Sequence, residues 1–278
     1  MKICLVLLRT FGDVILGNTL VDNLKLKYPD AEITYLVEDK YKELVQYNPN
    51  VKEVRCPKSW DEVLFTLAHE QWDKVCMAHQ TSYVDNMWHH CEPYRRGHLI
   101  DFYAYRIGLE LETLKRDIVF YPNPNAQPMQ LQPNALAIHT TTLVPSKNWN
   151  KFNDMMPYLT TKGYKVYQFG MPTDMPVVGA EDLRGKLTPS EIFQTLKQCE
   201  YFIGLDSGLS YLATAAGCKV TCIMGPTIPI TSGPYGENVR KIVSPTRPEC
   251  QAQRCHGNCR YNASCISNVT VETVMEKL

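Results

Sequence analysis

The sequence predicts two doubly wound, Rossmann-like α/β domains, on three observations. The chain opens with an apolar run, Met1 to Leu8, that breaks into Arg9-Thr10-Phe11-Gly12-Asp13 and resumes as Val14-Ile15-Leu16-Gly17-Asn18-Thr19-Leu20. That is a buried strand, a glycine turn carrying a carboxylate, and a helix, the junction at which open α/β sheets bind ligands. Short strand-like runs then alternate with helix-length segments, as in βαβ units on a parallel sheet. Finally, Tyr121 to Pro133 contains four prolines and no charge, and the alternation restarts after it, which marks a linker. The expected organisation is a first domain over 1–121, a linker over 122–134 and a second domain over 135–278, with a cleft between the domains.

In the first domain Ala31 to Val37, with its β-branched and aromatic residues, predicts the second strand, and Tyr41 to Tyr47 a short helix. Val51 to Cys56 reads as a third strand, Trp60 to His69 as a helix and Trp72 to His79 as a fourth strand. His98 to Leu109 places Leu99, Phe102, Tyr103 and Ile107 at helical spacing. In the second domain strands are expected at Ala135 to His139, Lys165 to Gly170, Tyr201 to Leu205 and Val220 to Gly225, and helices at Phe152 to Thr161 and Pro189 to Cys199. No short-period repeat is visible, which argues against a solenoid.

The 278 residues suffice for two cores. Lys+Arg and Asp+Glu number 29 each, so no overall field draws the chain to nucleic acid or an anionic membrane. The apolar start is short and runs straight into the glycine turn, unlike a signal peptide, and no run approaches the ~20 apolar residues of a membrane span. A cytoplasmic protein is expected, with Asn262-Ala263-Ser264 and Asn268-Val269-Thr270 as chance glycosylation matches. Seven of the eleven cysteines are scattered, mostly in apolar runs, as small core residues.

Two strand ends of the second half repeat the logic of the first. Thr140 and Thr141 end one strand in hydroxyls, and Lys147 follows before a helix; hydroxyls, backbone amides and a lysine point charge suit a diphosphate, as against an ordinary polar loop. Asp206-Ser207-Gly208 ends another strand where a helix amino terminus approaches a ligand, although capping alone accounts for Asp206 and Ser207. Gly225-Pro226-Thr227 closes a third.

Together, Arg9 to Asp13, Tyr28-Pro29-Asp30 and Asn48-Pro49-Asn50-Val51 resemble the amino-terminal pattern of glycosyltransferase family nine, the heptosyltransferases. Lys147-Asn148-Trp149, Asp182 to Thr188, Asp206-Ser207-Gly208 and Gly225-Pro226-Thr227 are similar to its carboxyl-terminal half, in family order. The resemblance implies a GT-B fold, a nucleotide-sugar donor held by the second domain, an acceptor held by the first, inversion at the anomeric carbon and no metal for catalysis. It implies Asp13 as catalytic base, Lys147 as donor-phosphate contact, and Thr140, Thr141, Asp206, Ser207, Gly208, Gly225 and Thr227 in the donor loops. Two departures stand out. Tyr211 replaces a histidine common in the helix after Asp-Ser-Gly, and the chain is short for a heptosyltransferase, mainly in the first domain.

Asn86 to His98 is rich in aromatic, histidine and arginine residues. Trp88, His89, Arg95 and Arg96 there suit a phosphorylated saccharide, or nucleic-acid phosphates beside a presented base, as against a plain polar loop. The acceptor is therefore a saccharide or, alternatively, hydroxymethylated DNA. Cys250, Cys255, Cys259 and Cys265 crowd the tail outside the resemblance; structural zinc, disulfides and unligated packing all remain open, since the paired Cys-x2-Cys spacing of zinc ribbons is absent. Other function classes are a sugar-nucleotide epimerase, for which no flanking carboxylate or histidine set is evident, and a non-catalytic nucleotide-sugar or nucleic-acid binding protein. The first turn lacks the Gly-x-Gly-x-x-Gly of a dinucleotide oxidoreductase.

Overall fold

Ile3, Cys4, Leu5 and Val6 have no exposed surface, as befits the central strand of a parallel sheet covered on both faces. In the computed structural model, which describes residues 1–78, 97–245, 259 and 263–278, this run is β1 (Lys2–Val6). On one side β1 pairs with β2 (Glu32–Leu36), with β3 (Glu53–Arg55) outside it, and on the other with β4 (Lys74–Met77). All pairings are parallel, in the order β3-β2-β1-β4. The chain divides into two units, Met1–Asn123 and Pro124–Leu278.

In the first unit α1 (Phe11–Lys27) is buried along most of its length, so its polar residues need partners. Asn18 Nδ2 donates to the Leu44 carbonyl at 2.9 Å, Thr19 Oγ1 to the Asp117 carbonyl at 2.7 Å, and Asn23 Nδ2 to the Lys115 carbonyl at 2.8 Å. Asn48 Nδ2 donates to Asn18 Oδ1 at 3.0 Å and Asn50 Nδ2 to Asp22 Oδ1 at 2.9 Å. The Asn48-Pro49-Asn50 motif is thus a clasp on α1. The helix expected at Tyr41 to Tyr47 is instead a 3-10 turn over Asp39–Leu44, closed by i→i+3 bonds from the Tyr41 amide to the Glu38 carbonyl and from the Val45 amide to the Lys42 carbonyl. α2 (Trp60–His69) lies where expected, capped by Ser59, and α3 (Leu99–Arg106) starts in a His98–Asp101 capping box.

The second unit is built from β5 (Ala135–Ile138), β6 (Lys165–Gln168), β7 (Glu181–Asp182), β8 (Tyr201–Leu205), β9 (Lys219–Ile223) and β10 (Val239–Ile242). Its helices are α4 (Phe152–Thr161), α5 (Pro189–Leu196), α6 (Gly208–Ala215), α7 (Ser264–Ser267) and α8 (Val271–Met275). The all-parallel order is β10-β9-β8-β5-β6-β7. The chain runs outward from β5 to β7 and returns to β8, so the direction reverses between β5 and β8, the ligand crevice of doubly wound sheets. In the first unit the same reversal lies between β1 and β4. β7, β10, α7 and α8 are not predicted by the sequence. β7 has two exposed residues, and β10 has one buried residue of four, so neither shows a pattern. The short α7 and α8 close the core against Trp149 and Phe152, where Trp149 Nε1 donates to the Val269 carbonyl at 2.9 Å.

Candidate functional site

The α1 capping box puts Asp13 at N3. Its Oδ2 accepts from the Thr10 amide at 3.1 Å and from Thr10 Oγ1 at 2.6 Å, with Arg9 Nε at 3.9 Å. Oδ1 accepts from the Tyr103 hydroxyl of α3 at 2.7 Å. One oxygen of Asp13 thus closes the helix end, while the other is held by a phenol from a distant helix. Tyr103 escaped the sequence reading because it sits on an apolar stripe; its signal was that a buried phenol needs a partner.

In the second unit Asp206 is 6% exposed and gathers two other loops, the one after β5 and the one between β9 and β10. Its Oδ2 accepts from Lys147 Nζ at 2.7 Å, Thr227 Oγ1 at 2.7 Å and Ser232 Oγ at 3.1 Å. Burial pushes the Asp206 carboxyl up, but the Lys147 charge and these hydrogen bonds outweigh it and hold the group below the ordinary carboxylate range. Gly225 lets the β9 end reach the lysine turn, since a Cβ there would stand 2.9 Å from the Ser146 carbonyl oxygen. Lys241 of β10 donates to the carbonyls of Pro229 at 2.5 Å and Ser232 at 2.6 Å, and burial lowers its pKa. Ser232 and Lys241 carry no ligand-binding motif in the sequence: Ser232 lies in the plain Ser232-Gly233-Pro234 turn and Lys241 on a strand with little pattern.

Ser207 is the α6 N-cap residue, yet its side chain makes no capping bond. Its hydroxyl instead meets His139 Nδ1 at 2.9 Å, and His139 Nε2 lies 3.3 Å from Asp174 Oδ2. The capping explanation of Asp206 and Ser207 is thereby corrected: both side chains turn to other strand ends. Thr140 Oγ1 donates to the Met175 carbonyl at 2.8 Å and accepts from Gln168 Nε2 at 3.0 Å, while Thr141 Oγ1 accepts from the Met175 amide at 2.9 Å. These two hydroxyls brace the 171–175 loop. Gly208 opens α6, partly exposed.

Trp88, His89, Arg95 and Arg96 lie outside the described residues, in the segment that follows β4. Cys250 and Cys255 also lie outside them; Cys259 is half-buried and Cys265 buried. Among the described residues no group of three or more His, Cys, Asp or Glu is placed to hold a metal. No helix among them is long and apolar enough to cross a membrane.

Residues 102–260 match the family model of glycosyltransferase family 9 (heptosyltransferase). The chain is 33% identical over 113 residues to the autotransporter heptosyltransferase TibC of Escherichia coli O78:H11, covering 37% of this chain and 28% of that protein. It is 27% identical over 150 residues to lipooligosaccharide heptosyltransferase 2 of Haemophilus influenzae, covering 48% of this chain and 43% of that one. The chain thus spans less than half the length of these curated relatives. Among solved structures, a family 9 glycosyl transferase from Veillonella parvula superposes with a TM-score of 0.77 at 19% identity, over 99% of this chain and 95% of that one. ADP-heptose LPS heptosyltransferase II of E. coli gives 0.73 at 15%, over 100% and 97%. The iron-containing dodecameric TibC gives 0.78 at 17%, over 99% and 76%. At such identities these structures establish the fold, the GT-B class of two Rossmann-like units. Asp13 lies before the matched stretch. The family model spans more than half of the chain and takes in Lys147, Asp206 and Thr227: the chain belongs to glycosyltransferase family 9, the heptosyltransferases.

Proposed function

We propose that the protein transfers a heptose-like sugar from a nucleotide-sugar donor, ADP-heptose first among candidates, to an acceptor hydroxyl with inversion of the anomeric carbon. The observation that carries this is the convergence of Lys147, Thr227 and Ser232 on Asp206 beside the amino end of α6, within a unit matching the family model. Three hydrogen-bond donors and a helix terminus at a sheet reversal point form an anion-binding arrangement. Asp13 takes the proton of the acceptor hydroxyl, whose oxygen attacks C1 from the face opposite the diphosphate. The C1–oxygen bond to the diphosphate breaks, and its electron pair leaves with the nucleotide. Lys147 exchanges its contact with Asp206 for one with the diphosphate and stabilises the departing charge. The 1–121 region is the acceptor side and 135–278 the donor side, and the reaction needs no metal. A cytoplasmic site, where nucleotide sugars are available and thiols stay reduced, suits this chemistry.

The acceptor is a saccharide hydroxyl, as the names of the lipooligosaccharide and LPS enzymes suggest. Nothing in the comparisons favours modified DNA. The test assays transfer from ADP-heptose to lipooligosaccharide core, to an autotransporter passenger and to hydroxymethylated DNA, with the product anomer read by NMR and a chelator arm. Asp13→Asn is expected to lower turnover by about 10²–10⁴ while leaving donor binding intact. Turnover within a few-fold of wild type in that variant, or none by the wild type with any nucleotide sugar, rejects the reading.

Cys250, Cys255, Cys259 and Cys265 are proposed as a structural metal site, a four-thiolate set that suits zinc or iron. Elemental analysis of the purified chain should show one tightly held ion, lost in Cys250→Ser/Cys255→Ser. A folded wild type without metal counts against the site.

A further inference from the structure

His139 follows β5 and Ser207 follows β8, the two strands that flank the reversal point. Their side chains meet at 2.9 Å between Ser207 Oγ and His139 Nδ1, and the opposite ring nitrogen faces Asp174 Oδ2 at 3.3 Å. His139 and Asp174 are 6% and 7% exposed, whereas Ser207 is only partly buried. The pair is built in from behind. Asp174 Oδ2 also accepts from the Met171 amide at 2.9 Å, and Arg184 Nη1 donates to the Asp174 carbonyl. Gly170, at φ +142°, has no room for a side chain, since a Cβ would stand 2.1 Å from Asp174 Oδ2 and 3.1 Å from His139 Cδ2. The charged groups around His139 are Asp174 at Nε2, Arg184 behind Asp174, and Asp206 with its Lys147 partner next to Ser207.

Hydrogen-bond inventory limits what this row can do. The Asp174 carboxylate facing Nε2 at 3.3 Å favours the tautomer with its proton on that nitrogen. Nδ1 is then either a lone pair that takes the Ser207 O–H or, in the doubly protonated ring, an N–H that donates to Ser207 Oγ. In the first state Ser207 presents only lone pairs to the amino end of α6. In the second its O–H is released to donate, with a cation behind it. An anion at that helix end favours the second state.

We propose that His139 is a positioning residue of the donor site: clamped by Asp174, it takes up a solvent proton when a nucleoside diphosphate binds, and so turns the Ser207 hydroxyl into a hydrogen-bond donor to the diphosphate. The proposal rests on the donor reading above, and it assigns roles to His139 and Asp174 that the motif residues leave out.

The test is calorimetry of ADP binding to the whole chain near about pH 7, in buffers of low and high ionisation enthalpy. Wild type should take up part of a proton per ADP, up to about one. In His139→Gln the amide nitrogen stands near the Nε2 position and serves Asp174 but not Ser207. That variant should bind ADP about tenfold more weakly, with the uptake reduced to whatever ADP itself contributes. In His139→Asn the amide nitrogen stands near Nδ1 and donates to Ser207 at every pH, so affinity should be largely restored without the uptake. Ser207→Ala, at a partly exposed position, should lose both affinity and uptake. Equal uptake in wild type and His139→Gln, or uptake that survives in Ser207→Ala, overturns the relay. Failure of the underlying donor reading has a different signature, no ADP binding by the wild type.

Discussion

Asp206 ties the loops after β5 and β9 to the end of β8. Its folded pKa is lowered, so the stability it contributes is fully present above the unfolded carboxylate value of about 4 and is lost as pH falls through the lower folded value. In Asp206→Asn the melting temperature should lose that part of its acid dependence. At neutral pH the variant should be about 3 kcal/mol less stable, because Lys147 is left without its partner. An unchanged acid limb in a melting series would remove Asp206 from this role. Tyr35 makes the opposite case. Its buried hydroxyl has no hydrogen-bond partner among the described residues, and burial, with the nearby Asp13 charge, pushes the phenol above its ordinary range. Deleting such a hydroxyl removes an unpaid desolvation cost. Tyr35→Phe should therefore stand within about 1 kcal/mol of wild type or above it in chemical denaturation, and a loss of several kcal/mol would reveal a partner.

At the scale of elements, α1 and β2 approach closely because Gly17 has no side chain. A Cβ there would stand 1.9 Å from the Tyr35 hydroxyl oxygen and 2.9 Å from Cζ. Gly17→Ala should cost about 2–3 kcal/mol, and less in a Tyr35→Phe background, where the nearest clashing atom is gone. A double-mutant cycle measures that coupling, and strictly additive losses would place the strain elsewhere. The Lys147-Asn148-Trp149 motif splits by function: Lys147 meets Asp206, Asn148 Oδ1 accepts from the Thr142 amide at 2.7 Å, and Trp149 anchors the tail. Trp149→Phe should lower stability by about 1–2 kcal/mol, since Lys151 still reaches the Val269 carbonyl. Asp182 to Thr188 is similarly structural. Arg184 forks onto Asp182 and braces the Asp174 loop, and Thr188 caps α5. Motif matches identify the family, and many of their residues brace loops.

At the scale of the molecule, each unit has its own parallel sheet with its own reversal point. If the second unit holds the donor, ADP at a hundred times its Kd should stabilise it by about 2.7 kcal/mol. Hydrogen exchange should then slow after β5, β8 and β9 and leave α1 unchanged; protection confined to α1 would reverse the assignment of the units. The alternation of strands and helices was legible along the chain because hydrophobic periodicity is local, and it led to the α/β class, α2, α4 and β8 at their observed bounds. The carboxylate turn at Asp13 and the Asp206-Ser207-Gly208 strand end were legible for the same reason, since strand, turn and helix are contiguous. Sheet order, the exposed two-residue β7, the Tyr103 hydroxyl on Asp13 and the Ser207–His139–Asp174 row were decided only by tertiary structure. Each joins residues far apart in sequence, and a hydrogen bond between distant side chains leaves no periodic trace in the chain that forms it.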